Sequence, residues 1–201
     1  MLEQEISLAP LRKSETQQRE PAPMPAPKPR DADTSLTEES ALVASLFEKY
    51  HEAIFAYLYR LLNDREAAHE LTQETFLQLF RTRDQLPDVK NQRAWIYRIA
   101  TNAARNAIKR RQRFAWLPWR KVEPSSVSEP DPSHRIGRDL AIEQVLAELP
   151  PAYRAPLLLY SHDGFSVREV AQALGLSEGA VKTRLYRARE MFRDLYQEKD
   201  L

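Results

Sequence analysis

Residues 165–189 run Phe-Ser-Val-Arg-Glu-Val-Ala-Gln-Ala-Leu-Gly-Leu-Ser-Glu-Gly-Ala-Val-Lys-Thr-Arg-Leu-Tyr-Arg-Ala-Arg. Ser166 and Glu169 form an S-x-x-E capping box, in which each side chain bonds the other residue's backbone N–H at a helix start. Ala171 is small where two helices must cross closely, and Gly175 supplies the left-handed residue that ends the first helix. Ser177 is placed to cap a second helix. There Val181, Leu185, Ala188, Phe192 and Leu195 recur at steps of four and three, which makes one face apolar. The opposite face carries Gly179, Lys182, Thr183, Tyr186 and Arg187. A helix, a glycine turn and a second helix that is apolar on one side and basic on the other form a helix-turn-helix. Such a unit lays its second helix in the major groove of duplex DNA.

Upstream of this unit, helical periodicity resumes at Asp139 with Leu140, Val145, Leu146 and Leu149, followed by Tyr153 to Tyr160 after Pro150-Pro151. Residues 114–138 break the pattern with Pro118, Pro124, Pro130 and Pro132 and read as a linker. At about 3.3–3.6 Å per residue, such a segment reaches roughly 80–90 Å when fully extended. From residue 40 to 113 the chain is again helical. Leu42, Leu46, Tyr50, Ile54, Leu58 and Leu61 form one stripe, and Ala68, Leu71, Thr75, Phe76 and Leu79 form a second. Residues 83–91 read as a loop ended by Pro87 and a cap at Asn91. A third helix, 92–113, is expected to bury Trp95, Ile99, Ala103 and Ala107. In residues 1–39, Pro21, Pro23, Pro25, Pro27 and Pro29 forbid helix and predict a disordered tail. The expected fold is therefore all-α: a tail (1–39), a helical domain (40–113), an extended linker (114–138) and a second helical domain (139–197).

Composition narrows the function. The net charge of +1 over 201 residues hides a segment, 81–113, with ten Lys/Arg against two Asp/Glu. That local excess points to a polyanion partner. The absence of cysteine excludes disulfides and thiolate metal sites. With no run of about 18 apolar residues and no basic-then-apolar leader, the expectation is a cytoplasmic protein without membrane insertion.

The third helix mixes cations with amides: Arg98, Asn102, Arg105, Asn106 and Lys109 share its outer side, near Trp95, Tyr97 and Phe114. Cations follow phosphates, amides bond base edges and aromatic rings stack on unpaired bases, a combination suited to single-stranded DNA. Trp95 taken alone reads better as a core residue. The second helix instead shows Glu66, Glu70 and Glu74 at steps of four beside Gln73 and Gln78, a face suited to a protein partner.

Three segments together resemble the sigma subunits of bacterial RNA polymerase. They are Asp64-Arg65-Glu66-Ala67-Ala68-His69-Glu70-Leu71-Thr72-Gln73-Glu74-Thr75-Phe76, then Trp95-Ile96-Tyr97-Arg98-Ile99-Ala100-Thr101-Asn102, then Ser177 to Arg189. The resemblance is to the sigma-70 family, closest to its compact extracytoplasmic-function (ECF) group, and it covers about residues 40–195. It implies a region-2 domain whose Glu70, Leu71, Gln73, Glu74 and Phe76 bind core RNA polymerase. Lys90, Asn91, Arg93, Trp95, Arg98, Asn102, Arg105, Asn106 and Lys109 would then meet the melted −10 strand. The second domain becomes region 4, with Ser177, Glu178, Gly179, Lys182, Thr183, Arg184, Tyr186 and Arg187 on the duplex −35 element. Two turns of DNA, roughly 70 Å, lie within the linker's reach. The resemblance also implies an anti-sigma partner, and gives the tail no role.

Two other classes are weighed against it. A helix-turn-helix regulator with a ligand-sensing first domain would need a pocket where the basic segment lies. A zinc enzyme would need H-E-x-x-H, but Phe55 follows His51-Glu52 and Gln73 follows His69-Glu70 at the position of the second histidine. No catalytic residue, cofactor or metal is expected.

Overall fold

The computed structural model describes residues 32–114 and 137–199. Among these the chain is all helical: α1 (Ala32–Leu62), α2 (Arg65–Arg81), a 3₁₀ turn (Arg83–Asp88), α3 (Gln92–Phe114), α4 (Gly137–Glu148), α5 (Pro151–Leu157) running into a π turn (Leu158–His162), α6 (Val167–Leu174) and α7 (Glu178–Lys199). The expected tail up to residue 31 and most of the expected linker, 115–136, lie outside the described residues. Helix α1 begins at Ala32, inside the segment expected to be tail. The five alternating prolines end at Pro29, and nothing after them forbids helix.

The first domain stacks α1, α2 and α3 around Ile54, Leu58, Leu61, Leu79, Ile96 and Ala100, all at most 3% exposed. Asp64 caps α2, accepting from the Ala67 N–H at 3.0 Å while its other oxygen holds Arg111 at the end of α3. Segment 83–91 is not an open loop. Residues Arg83–Asp88 wind into a 3₁₀ turn that buries Leu86, and Asn91 caps α3 through the Ala94 N–H at 2.9 Å.

The register of α3 differs from the expected one by about one position. Ala94, Ile96, Tyr97, Ala100, Thr101 and Ala104 are buried, while Trp95, Ile99, Ala103 and Ala107 pack at the edge of the core. The reason is a polar pair. The Tyr57 hydroxyl lies 2.8 Å from Thr101 Oγ1, and Thr101 in turn donates to the Tyr97 carbonyl at 2.7 Å. A satisfied hydroxyl pair can be buried at little cost, so Thr101 occupies a place that apolar periodicity alone assigns elsewhere.

The helix-turn-helix is built as its sequence requires. Ser166 Oγ accepts from the Glu169 N–H at 3.3 Å, and the Glu169 carboxylate accepts from the Ser166 N–H at 2.9 Å. Gly175 has φ of 64° and ends α6, and Ser177 Oγ accepts from the Ala180 N–H at 3.2 Å to start α7. Val181, Leu185 and Ala188 are buried, with Phe192 and Leu195 beside them.

The two domains do not stand apart. Phe165, 2% exposed, sets its ring 4.8 Å from that of Tyr97, and α6 packs on α3. Residues of both domains therefore share one hydrophobic core.

Two measurements test these packing statements. Leu58, 0% exposed, should cost about 2–5 kcal/mol when replaced by alanine, read as a lower urea midpoint. A loss under about 1 kcal/mol, the size of an ordinary substitution, would place Leu58 outside the core. The Ser166 N–H first, and then its hydroxyl, hold the Glu169 carboxyl below its ordinary range. A depressed folded pKa means that this stabilisation is complete above the unfolded pKa and is lost as pH falls through the folded one. Melting temperature should therefore fall more steeply with acid in the wild type than in Glu169→Gln; parallel curves would remove the charged cap from the account.

Candidate nucleic-acid and protein interfaces

Helix α3 turns Asn102, Arg105, Asn106 and Lys109 to solvent, with Arg98 half-buried beside them. Arg105 donates to Asn102 Oδ1 at 3.2 Å, so a guanidinium and a side-chain amide are held together on one turn. At the start of the helix Lys90 is exposed, whereas Asn91, Arg93 and Trp95 are half-buried. Asn91 Nδ2 donates to Glu169 Oε1 at 3.1 Å, Arg93 donates to the Asp163 carbonyl, and the Arg93 guanidinium lies 4.0 Å from the Phe165 ring centre. The nine residues expected at a melted strand thus divide. Five are open, and among the other four Asn91 and Arg93 are engaged by the second domain.

Helix α7 exposes Glu178, Gly179, Lys182, Thr183, Tyr186 and Arg187 along one side, with the α7 cap Ser177 also exposed ahead of them. Thr183 Oγ1 donates to the Gly179 carbonyl at 3.0 Å, leaving its methyl group and lone pairs outward. Tyr186 is 63% exposed, and its hydroxyl bonds Glu190, whose carboxylate raises the phenol pKa and keeps the ring neutral. Arg184 is the exception. It is half-buried and shares a cleft of about 120 Å³ with Arg105 and Lys109 of the first domain.

On α2, Glu70, Gln73 and Glu74 are exposed, but Leu71 and Phe76 are each only 7% exposed. Phe76 packs edge-on against Phe47 with ring centres 4.9 Å apart. Leu71 and Phe76 therefore shape the face from below, and other apolar residues lie on it: Leu77 (55% exposed), Phe80 (46%) and Phe47 (46%). The signal for Leu77 was present in the sequence. It stands four residues after Gln73 and three after Glu74, outside the buried stripe. A second apolar surface had no such signal: Ile142, Leu146, Leu157, Leu158 and Phe192 line a groove of about 380 Å³ rimmed by Ser161, His162 and Arg189.

The remaining histidine–glutamate pairs sit elsewhere. His51 stacks on Phe47 at 4.8 Å and His69 lies 4.3 Å from the Phe55 ring. Among the described residues no cluster of three His, Cys, Asp or Glu could hold a metal, and no helix is long and apolar enough to cross a membrane.

Comparison with known proteins follows the same division of the chain. The sigma-70 region 2 family model matches residues 46–114, and the sigma-70 region 4 model matches residues 139–192. The ECF RNA polymerase sigma factor SigE of Mycolicibacterium smegmatis is 31% identical over 161 residues, covering 74% of this chain and 59% of the relative. SigW of Bacillus subtilis is 26% identical over 161 residues, covering 75% and 86%. Among solved structures, the sigma factor RpoE in complex with the anti-sigma factor NepR from Bartonella quintana has a TM-score of 0.63 at 22% identity, over 82% of this chain and 98% of that one. CnrH in complex with the cytosolic domain of CnrY gives 0.60 at 23% identity, over 82% and 94%. At such identities the structural likeness speaks to the fold. With both regions matched in order along the chain, and relatives that are ECF RNA polymerase sigma factors, this chain belongs to the sigma-70 family of RNA polymerase sigma factors, in its ECF group.

Proposed function

We infer that this chain is an alternative sigma factor: it binds core RNA polymerase, recognises −10 and −35 promoter elements and promotes strand opening at the start of transcription. The observation that carries this reading is the outer face of α3, where exposed Asn102, Arg105, Asn106 and Lys109 share a chain with a fully capped helix-turn-helix. A regulator acting through α6 and α7 alone would leave the α3 face without a partner.

Region 4 places Lys182, Thr183 and Arg187 of α7 on the −35 duplex, with Ser177, Glu178, Gly179 and Tyr186 beside them. Region 2 presents Asn102 and Asn106 to unstacked bases of the −10 strand, and Arg98, Arg105 and Lys109 to its phosphates. Lys90, Asn91, Arg93 and Trp95 extend that surface toward the 3₁₀ turn. Opening draws on binding: unstacking a base costs a few kcal/mol, which stacking and amide contacts offset. The chain supplies no covalent chemistry and needs no cofactor. Core polymerase docks on α2 through Glu70, Gln73 and Glu74 together with exposed Leu77 and Phe80, with Leu71 and Phe76 holding that face in shape. A cytoplasmic bacterial setting and an anti-sigma partner follow from the same reading.

Run-off transcription with purified core polymerase, followed by sequencing of the RNA 5′ ends, tests the assignment. A defined start site dependent on the chain is expected; RNA from no defined position would refute it. Asn102→Ala should relax the choice of −10 sequence by about 1–3 kcal/mol per position read. Arg105→Ala should weaken binding across all sequences and reduce the slope of log K against log salt by about 0.7. Equal promoter profiles and salt slopes for both variants would remove the α3 face from DNA recognition. Leu77→Asp should weaken capture of core polymerase by about 1–2 kcal/mol while leaving the melting temperature unchanged. Undiminished capture would move the docking surface off α2.

A further inference from the structure

We propose that the cleft shared by α3 and α7 is a binding site for a phosphoryl dianion, either free inorganic phosphate or the phosphate end of a small phosphomonoester. The site belongs to the free chain and needs neither polymerase nor promoter.

Three cations reach the cleft from two helices: Arg105 and Lys109 from α3, and half-buried Arg184 from α7. Beside them lie Leu61, Ile108 and Leu174, and no carboxylate is present among the described lining residues. None of the three cations forms an ion pair with an acid of the described residues. Arg105 instead donates to the neutral Asn102 Oδ1. Other cations in the packed part of the chain are answered. Arg60 faces Glu143 at 3.9 Å, Arg111 holds Asp64, and Arg154 donates to the Leu61, Ala147 and Leu149 carbonyls. The cleft gathers positive charge without a counter-charge of its own.

Cations crowded beside apolar surface raise one another's energy more than they would in open water. A multivalent anion reverses the sign of that interaction, and a guanidinium matches the oxygens of phosphate with paired N–H donors. A phosphomonoester carries about −1.5 to −2 charge at neutral pH. Size narrows the class further. The cleft measures about 120 Å³, and an apolar cavity of about 150 Å³ takes a molecule as large as benzene. Phosphate is of that size and a nucleoside is several times larger, so any organic group on the phosphate projects out of the mouth. The charged lining side chains are all donors, so sulfate, which carries no proton to give, should enter as well.

Isothermal titration calorimetry of the free full-length chain with sodium phosphate, at an ionic strength held constant with sodium chloride, tests the site. Saturable binding of a single phosphate per chain is expected. Arg184→Gln should weaken it at least about tenfold. Arg187→Gln removes the same charge from the outer side of α7 and should leave the affinity within about twofold, because exposed charges at a distance are screened. Ala152→Trp, at the exposed rim of the cleft, keeps all three cations and should abolish binding by filling the space. Circular dichroism checks native helix content in each variant. Glycerol phosphate distinguishes the sources: affinity equal to that of phosphate assigns the site to phosphomonoesters, and a loss assigns it to the inorganic ion. No saturable heat would overturn the proposal. So would equal losses in Arg184→Gln and Arg187→Gln, or undiminished binding by Ala152→Trp, each of which means an adventitious ion on a basic surface only.

Discussion

A single buried cation organises the junction of the two domains. Burial pulls the Arg154 pKa down to about 10, which leaves it charged at neutral pH. A charge withdrawn from water is tolerated only where its donors are satisfied. Arg154 meets that condition with helix C-terminal carbonyls: Nε and Nη2 donate to Leu149 O at 3.1 and 2.7 Å, Nη2 also to Ala147 O, and Nη1 to Leu61 O at 3.0 Å. Helix C-termini carry partial negative charge, so the guanidinium lies where α4 and α1 both present it. The end of α1 belongs to the first domain and the end of α4 to the second. One side chain completes the capping of both, and the ring of Phe165 against that of Tyr97 adds an apolar contact across the same junction.

The charged surfaces are arranged around that junction. The cationic side of α3 points away from the core formed with α1 and α2, because Tyr97, Ala100, Thr101 and Ala104 are drawn inward. The basic side of α7 is fixed in the same way by Val181, Leu185 and Ala188. Each basic surface is thus the reverse of a packing surface, and neither needs special backbone geometry. The positive φ at Gly175 serves the turn between α6 and α7.

What the sequence disclosed was local. Ser166 with Glu169, Gly175 and Ser177 act over three or four residues, and each makes the contact that its spacing implies. The α2 stripe of Ala68, Leu71, Thr75, Phe76 and Leu79 is likewise buried as spaced. Long-range chemistry was not legible. The burial of Thr101 depends on Tyr57, 44 residues away, and an alanine-rich helix offers little periodicity to correct the register. The domain contacts join residues 78 and 93 positions apart, Asn91 to Glu169 and Arg154 to Leu61. In the sequence these residues look like an ordinary cap and an ordinary surface arginine. The same limit explains Leu71 and Phe76: their motif marks the right helix, but only the packing of Phe47 decides which side chains remain outside.

The cleft between the domains brings Arg105, Lys109 and Arg184 together with no acidic residue in its lining. Like charges at such range repel, and dissolved ions screen them. Electrolyte that weakens attraction between free DNA and protein also eases these three groups toward one another. Rising ionic strength therefore favours the packed arrangement of the two domains, and dilution of salt loosens it.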